Sequence, residues 1–181
     1  MTDRGSKVTV SVLKNLDKWM RVENFGDIVE GTNLLPMKTF SRDDSHGHTL
    51  RAFLDAKPRV RVIVDLSSDL DNYDVDGRIV RHKVPLVAKS VPSAADVSRF
   101  IDLVQASNRM SHEEGPVQIG VHCHYGFNRT GFLICAYLIE VHRVTPAMAI
   151  ERFERARPPG IRHASFRAAL HVRYGHEYSG Q

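Results

Sequence analysis

Val117-Gln-Ile-Gly-Val-His-Cys-His-Tyr-Gly-Phe-Asn-Arg-Thr-Gly-Phe-Leu-Ile-Cys-Ala-Tyr-Leu-Ile-Glu-Val141 decides how this chain is to be read. Residues 117–122 form a short apolar run behind the Glu114-Gly115-Pro116 turn, which predicts a strand. Residues 130–141 are apolar almost all round, which predicts a helix buried at the centre of the protein. Between them lies a polar and aromatic loop that holds Cys123 and Arg129.

Working outward, residues 59–66 and 78–86 predict two further strands, the first rich in β-branched side chains. Residues 93–108 predict an amphipathic helix: Ser93 and Asp96 form a capping-box pattern, and Val97, Phe100, Ile101 and Val104 make one apolar stripe. Thr145-Pro146 predicts the start of a helix running to about residue 156, and residues 164–173 predict a last one. Towards the N-terminus, Val12, Leu16 and Trp19 predict a short helix over 11–22. Residues 27–40 read as irregular strand and turn around Gly31 and Pro36, and 43–49 as a polar surface loop. Strands alternating with helices predict an α/β fold, a central mostly parallel sheet flanked by helices on both faces.

At 181 residues, without repeats, low-complexity tracts or a linker, the simplest organisation is one domain over 1–181, with residues 1–10 as a candidate flexible lead. No apolar run approaches the ~18 residues of a membrane span. The first seven residues lack the apolar core of a secretory signal. The expectation is an intracellular protein, nuclear or cytoplasmic, with no membrane partner. Two cysteines, Cys123 and Cys135, make no disulfide framework. Cys135, inside the apolar helix, reads as a small buried hydrophobe. The net charge of +4 suits an anionic ligand. Six arginines and a single acid, Glu154, fall between Arg152 and Arg173, which reads either as a solvated helix face or as a surface toward phosphate or nucleic acid.

The loop between strand and helix carries the chemistry. Ligands of open parallel sheets bind beyond the carboxyl ends of the strands, where a helix start also aims unpaired N–H groups. Five residues between Cys123 and Arg129 (His124, Tyr125, Gly126, Phe127 and Asn128) can curl their amides about an anion, with Gly126 free to take positive φ. Arg129 supplies a planar fork for two phosphate oxygens. The same field favours a Cys123 thiolate, able to attack phosphorus and form a phosphocysteine. The Thr130 hydroxyl is placed to stabilise that sulfur, while His122 and Asn128 read as loop supports. Zinc on His122, Cys123 and His124 is disfavoured because consecutive residues rarely converge on one ion. His46 and His48 lack further ligands, so neither a metal nor another cofactor is expected.

These residues resemble the signature of the cysteine-phosphatase superfamily. Leu35-Pro-Met-Lys-Thr39, Ile119 to Ala136, and Ala156-Arg-Pro-Pro-Gly-Ile161 with Arg173-Tyr-Gly175 are most similar to the RNA 5′-triphosphatase domain of metazoan mRNA-capping enzymes and related RNA phosphatases. The resemblance implies the cysteine-phosphatase fold and removal of terminal phosphate from triphosphate-ended RNA without metal. It carries the nucleophile onto Cys123, the phosphate clamp onto Arg129 and the hydroxyl onto Thr130. Lys38, Arg157 and Arg162 become candidates for outer phosphates or RNA backbone. In one departure, His124-Tyr125 stands where the family usually has Thr-His.

Protein phosphatases of this superfamily usually carry an aspartate about thirty residues before the cysteine. Residues 85–92 here contain no acid, and Asp96 belongs to the helix cap. A phosphoanhydride needs a general acid least, which favours a triphosphate-ended RNA over a phosphoprotein as the partner. The acidic loop of Asp69, Asp71, Asp74 and Asp76 keeps a dual-specificity or tyrosine protein phosphatase as the alternative. A non-catalytic phosphate-binding module is the third reading. Nothing in the chain bears on oligomeric state.

Overall fold

Four strands pair in the order β1-β4-β2-β3, every pairing parallel. They are β1 (Leu34–Met37), β2 (Val60–Ser67), β3 (Val80–Leu86) and β4 (Gln118–His122). The computed structural model describes residues 13–68, 73–75, 77–110 and 115–175. Residues 1–10, the start of the 11–22 segment, and Asp69, Asp71 and Asp76 therefore lie outside the described residues.

The helices are α1 (Leu16–Met20), α2 (Leu50–Ala56), α3 (Ala94–Asn108), α4 (Asn128–His142), α5 (Pro146–Ala156) and α6 (Ala164–Tyr174). Side chains alternate across β2, so Val62, Val64 and Leu66 enter a large core with α3 to α6, while Ile63 enters a smaller core with Leu35, Met37, Phe40 and Phe53 of the β1 and α2 region. Both faces of the sheet are covered, as parallel strands require. At the sheet's middle, a Cβ on Gly120 would lie 2.8 Å from Ile63 and 2.9 Å from Met37, so neighbouring side chains fill the space above β4.

Start signals in the sequence explain where α3 and α5 begin. Ser93 accepts from Asp96 N–H and Asp96 answers to the Ser93 N–H, completing the capping box. Thr145 caps α5 with Pro146 as its first residue. Two helices differ most from expectation, and His48 and Thr49 of the expected surface loop are buried. Asn15 takes a left-handed conformation (φ 53°), so α1 is confined to five residues. Residues 50–56 form α2, which was not anticipated; Thr49 caps it and Leu50, Phe53 and Leu54 are its buried face. No helix among the described residues is long and apolar enough to cross a membrane.

α4 lies against α5, α6 and α3, and Gly131 sets how closely it approaches α5. A Cβ there would meet the Phe153 ring at 2.5 Å and Ile161 at 2.6 Å. Gly131→Ala therefore gains about 1 kcal/mol of helix propensity and loses about 1–3 kcal/mol to overpacking. We expect a net lower urea midpoint at unchanged m-value; an equal or higher midpoint contradicts the packing argument.

His48 is buried among Phe40, Phe53 and Phe25 and donates from Nε2 to the Lys38 carbonyl at 3.2 Å. Burial pushes its pKa from 6.5 down to about 3. The unfolded chain thus takes up a proton below about pH 6.5 that the folded chain refuses, and stability falls as pH falls by about 1.4 kcal/mol per unit for this group. His48→Gln should flatten the loss between pH 5 and 4 by about that slope in urea titrations.

Candidate active site

β4 ends at His122 and α4 begins at Asn128, two residues earlier than expected, so Arg129 and Thr130 sit in the helix's first turn. Cys123 is the first residue beyond the strand. It is 4% exposed, Arg129 7% and Thr130 fully buried. α4 has no side-chain cap at its N-terminus, which leaves its first amides to the cavity in front of it.

The loop is held from behind, one carbonyl after another. His122 Nδ1 bonds the Cys123 carbonyl (3.1 Å), Thr39 N–H the His124 carbonyl (3.1 Å), and Arg157 Nη2 the Tyr125 carbonyl (3.1 Å). With carbonyls turned outward, amides turn inward, and those of Gly126 and Thr130 reach the Cys123 sulfur. Gly126 has φ +75°, and a Cβ there would lie 2.1 Å from the Met37 carbonyl oxygen. No other residue fits that close approach to β1. Asn128 Oδ1 accepts from the Arg162 and His163 amides, both at 2.9 Å, tying the helix start to the 161–163 segment.

Burial opposes charge on Cys123 most strongly. The Arg129 guanidinium, the Thr130 hydroxyl and the two amides outweigh it, holding the thiol below its ordinary range. The Thr130 hydroxyl has no oxygen or nitrogen partner among the described residues, which leaves it to the sulfur. Arg129 Nη1 donates to the Leu86 carbonyl at 2.8 Å and the Leu66 carbonyl at 3.3 Å, at the carboxyl ends of β3 and β2. Its remaining N–H groups stay available to an anion.

Beneath lies a buried polar layer. His122, fully buried, meets the Tyr73 hydroxyl at 2.7 Å and Asp65 at 3.7 Å. Burial pushes its pKa down, against the opposing pull of Asp65. Burial works against the Asp65 charge, but His122, the Ser67 hydroxyl and amide, and Arg81 together bring its pKa down to about 2.

Two residues expected as substrate contacts, Lys38 and Arg157, do not line the cavity in front of Cys123. Lys38 is 1% exposed, its Nζ donates to the Trp19 and Val22 carbonyls (3.0 and 2.7 Å), and it lies 3.8 Å from the Trp19 ring. Arg157, also 1% exposed, bonds the Glu23 carbonyl at 2.8 Å besides that of Tyr125. Both are walled off behind the loop, where main-chain carbonyls accept from Lys38 Nζ and Arg157 Nη2. Arg162 is exposed but stacks on Phe127 at 3.9 Å. The rest of the basic run is also engaged internally: Arg152 and Arg155 with Glu30, Arg167 with the Ile161 carbonyl, Arg173 with the Pro92 carbonyl.

The cavity in front of Cys123 has a volume of about 470 Å³. Arg129, His124, Tyr125, Phe127 and Asn128 line it, joined by Lys14, Lys18, Lys89 and His163. None of these last four was singled out from sequence, although Lys89 lies in the stretch noted for its missing acid. No carboxylate lines the cavity among the described residues.

Comparison with known proteins gives three findings. The profile of the dual specificity phosphatase catalytic domain matches residues 45–174. The chain is 34% identical over 175 residues to the mouse mRNA-capping enzyme, covering 87% of this chain and 28% of that protein. It is 28% identical over 153 residues to a tyrosine-protein phosphatase of Autographa californica nuclear polyhedrosis virus, covering 77% and 89%, and 36% identical over 99 residues to the rat RNA/RNP complex-1-interacting phosphatase, covering 53% and 30%. The chain thus spans little more than a quarter of the capping enzyme it matches. Human DUSP28 superposes with a TM-score of 0.64 at 16% identity, over 86% of this chain and 95% of that one, a likeness of fold.

The electrostatics around the sulfur predict selective reactivity. Iodoacetamide at pH 6–7 should modify Cys123 in the folded protein and spare Cys135, whose thiol burial pushes up. Arg129→Met or Thr130→Val should move the alkylation midpoint upward, by about 1–3 pH units for the arginine. Mass spectrometry of labelling against pH reads this, and an unmoved midpoint contradicts it.

Proposed function

The chain belongs to the dual-specificity phosphatase catalytic-domain family, and from that membership we propose that it removes the 5′-terminal phosphate of triphosphate-ended RNA through a phosphocysteine on Cys123. The observation that carries this reading is the charge of the cavity: Lys14, Lys18, Lys89 and Arg129 line it and no carboxylate does, among the described residues. A triphosphate brings several negative charges and, at its anhydride bond, a leaving group that departs as a stable anion. A phosphoprotein brings an alkoxide or phenoxide, whose departure a general acid speeds by ~10²–10⁴-fold. The relatives named for mRNA capping and for RNA/RNP complexes support the same direction.

In this reading the Cys123 thiolate attacks the terminal phosphorus while Arg129 and the inward amides hold its non-bridging oxygens. The sulfur–phosphorus bond forms, the bridging P–O bond breaks, and its electron pair leaves on the diphosphate end. Water then attacks the phosphocysteine, inorganic phosphate departs, and Thr130 donates to the returning thiolate. His122, Asn128 and Arg157 hold the loop's shape during both steps. An RNA substrate sets the place of action in the nucleus or cytoplasm.

A protein-phosphatase reading has one observation in its favour: the viral tyrosine-protein phosphatase is matched over 89% of its own length. It requires an acid from outside the cavity. Asp96 is held in the capping box by Ser93, and Asp74 is paired with Arg42 at 3.1 Å.

A substrate panel in EDTA decides between them: triphosphate RNA, diphosphate RNA, a nucleoside triphosphate, a phosphotyrosine peptide and an aryl phosphate. Triphosphate RNA should turn over fastest. Cys123→Ser should abolish turnover, and Arg129→Met should lower it by about 10²–10³-fold. Faster turnover of the peptide than of any RNA establishes the second reading instead.

A further inference from the structure

Lys89 occupies the turn after β3, at the carboxyl edge of the sheet where the Leu86 carbonyl anchors Arg129. Its backbone is left-handed (φ 63°), a conformation that non-glycine residues adopt at a cost and that points to a functional hypothesis when the side chain has somewhere particular to be. The turn is closed by the Ser90 amide on the Val87 carbonyl at 3.4 Å. The side chain lines the cavity with Cys123 and Arg129, is exposed, and has no carboxylate partner among the described residues. The basic run from Arg152 to Arg173 is engaged internally, whereas Lys89 is held by a strained turn at the mouth of the cavity with its charge unpaired among the described residues.

Resting on the triphosphatase reading, we propose that Lys89 is a catalytic residue that stabilises the leaving group by charge instead of by proton transfer. Cys123 and Arg129 lie at the cavity's buried floor, so a phosphorus held there is attacked from below. In-line displacement sends the departing oxygen outward, toward the mouth that Lys89 lines. As the bridging P–O bond breaks, its electron pair localises on the oxygen of the diphosphate. The Lys89 ammonium donates a hydrogen bond to that oxygen and keeps its own proton, so nothing has to be returned before the next cycle. An aspartate in the same turn would repel the diphosphate and suit only a leaving group that needs protonation. The sign of the charge at this turn therefore sets the substrate class.

The test is steady-state kinetics of the wild type, Lys89→Ala and Lys89→Arg on triphosphate-ended RNA and on an aryl phosphate. Lys89→Ala should lower kcat on the RNA by about 10²-fold, and lower it at least about ten-fold more than on the aryl phosphate, whose leaving group carries less charge. Lys89→Arg should restore most of the RNA rate. Three results overturn the assignment while leaving the triphosphatase reading intact: equal loss on both substrates, a change confined to KM, or no recovery with arginine. A wild-type protein that does not release phosphate from triphosphate RNA overturns the reading itself and this assignment with it. The aryl phosphate rate reports folding in every variant.

Discussion

A negative sulfur almost wholly out of water is the constraint the rest of the structure answers to. Burial is the largest influence on Cys123 and it opposes ionisation, so a thiolate exists only if fixed dipoles and charge replace the lost water. Those replacements cannot come from one element. Arg129 and Thr130 reach the sulfur because α4 begins within five residues of it, and α4 begins there because β4 delivers the chain to the carboxyl edge between β1 and β2. The Arg129 guanidinium is then fixed by carbonyls of β2 and β3. Every strand but β1 thus contributes directly to one charge, and β1 contributes through Met37, whose carbonyl fills the space that a side chain on Gly126 would need.

The loop's curvature has its own electrostatic cost. Turning amides toward the sulfur leaves carbonyls facing the protein, and buried carbonyls need donors. Arg157 fills this gap at the Tyr125 carbonyl, while Lys38 beside it donates to the Trp19 and Val22 carbonyls, and neither has a carboxylate partner at hydrogen-bond distance among the described residues. Burial lowers the pKa of the first to about 10 and of the second to about 8. The charge of Arg157 also depresses Lys38, while the charge on Cys123 supports Arg157. The thiolate and the arginine behind it are therefore linked. Whatever neutralises the sulfur makes the buried guanidinium more expensive, so the ionised site and the folded loop favour one another.

Local features were legible in the sequence and distant ones were not. The strand, loop and helix from 117 to 141, the capping box at Ser93 and the Thr145-Pro146 start all rest on residues within a few positions of each other, and the fold class follows from their alternation. α2 escaped because three apolar residues in seven are too few for a period to stand out. Lys38 and Arg157 read as substrate contacts because residue type says nothing about which way a long cation points. Arg157 finds its partners 134 and 32 residues away, at Glu23 and Tyr125. Lys14 and Lys18 escaped for the same reason: they reach the cavity from the far end of the chain.

That last separation gives the unusual pair His124-Tyr125 a physical meaning. The two rings pack edge to face at 4.3 Å, His124 Nε2 meets the Lys14 carbonyl at 2.9 Å, and Lys18 Nζ lies 5.3 Å from the Tyr125 ring centre. Smaller residues at these positions would leave the segment before α1 without this purchase on the loop. The rings do occupy space at the cavity rim, but they occupy it in order to fasten two lysines there. In the folded chain this pair joins the loop to an N-terminal segment that brings Lys14 and Lys18 to the cavity.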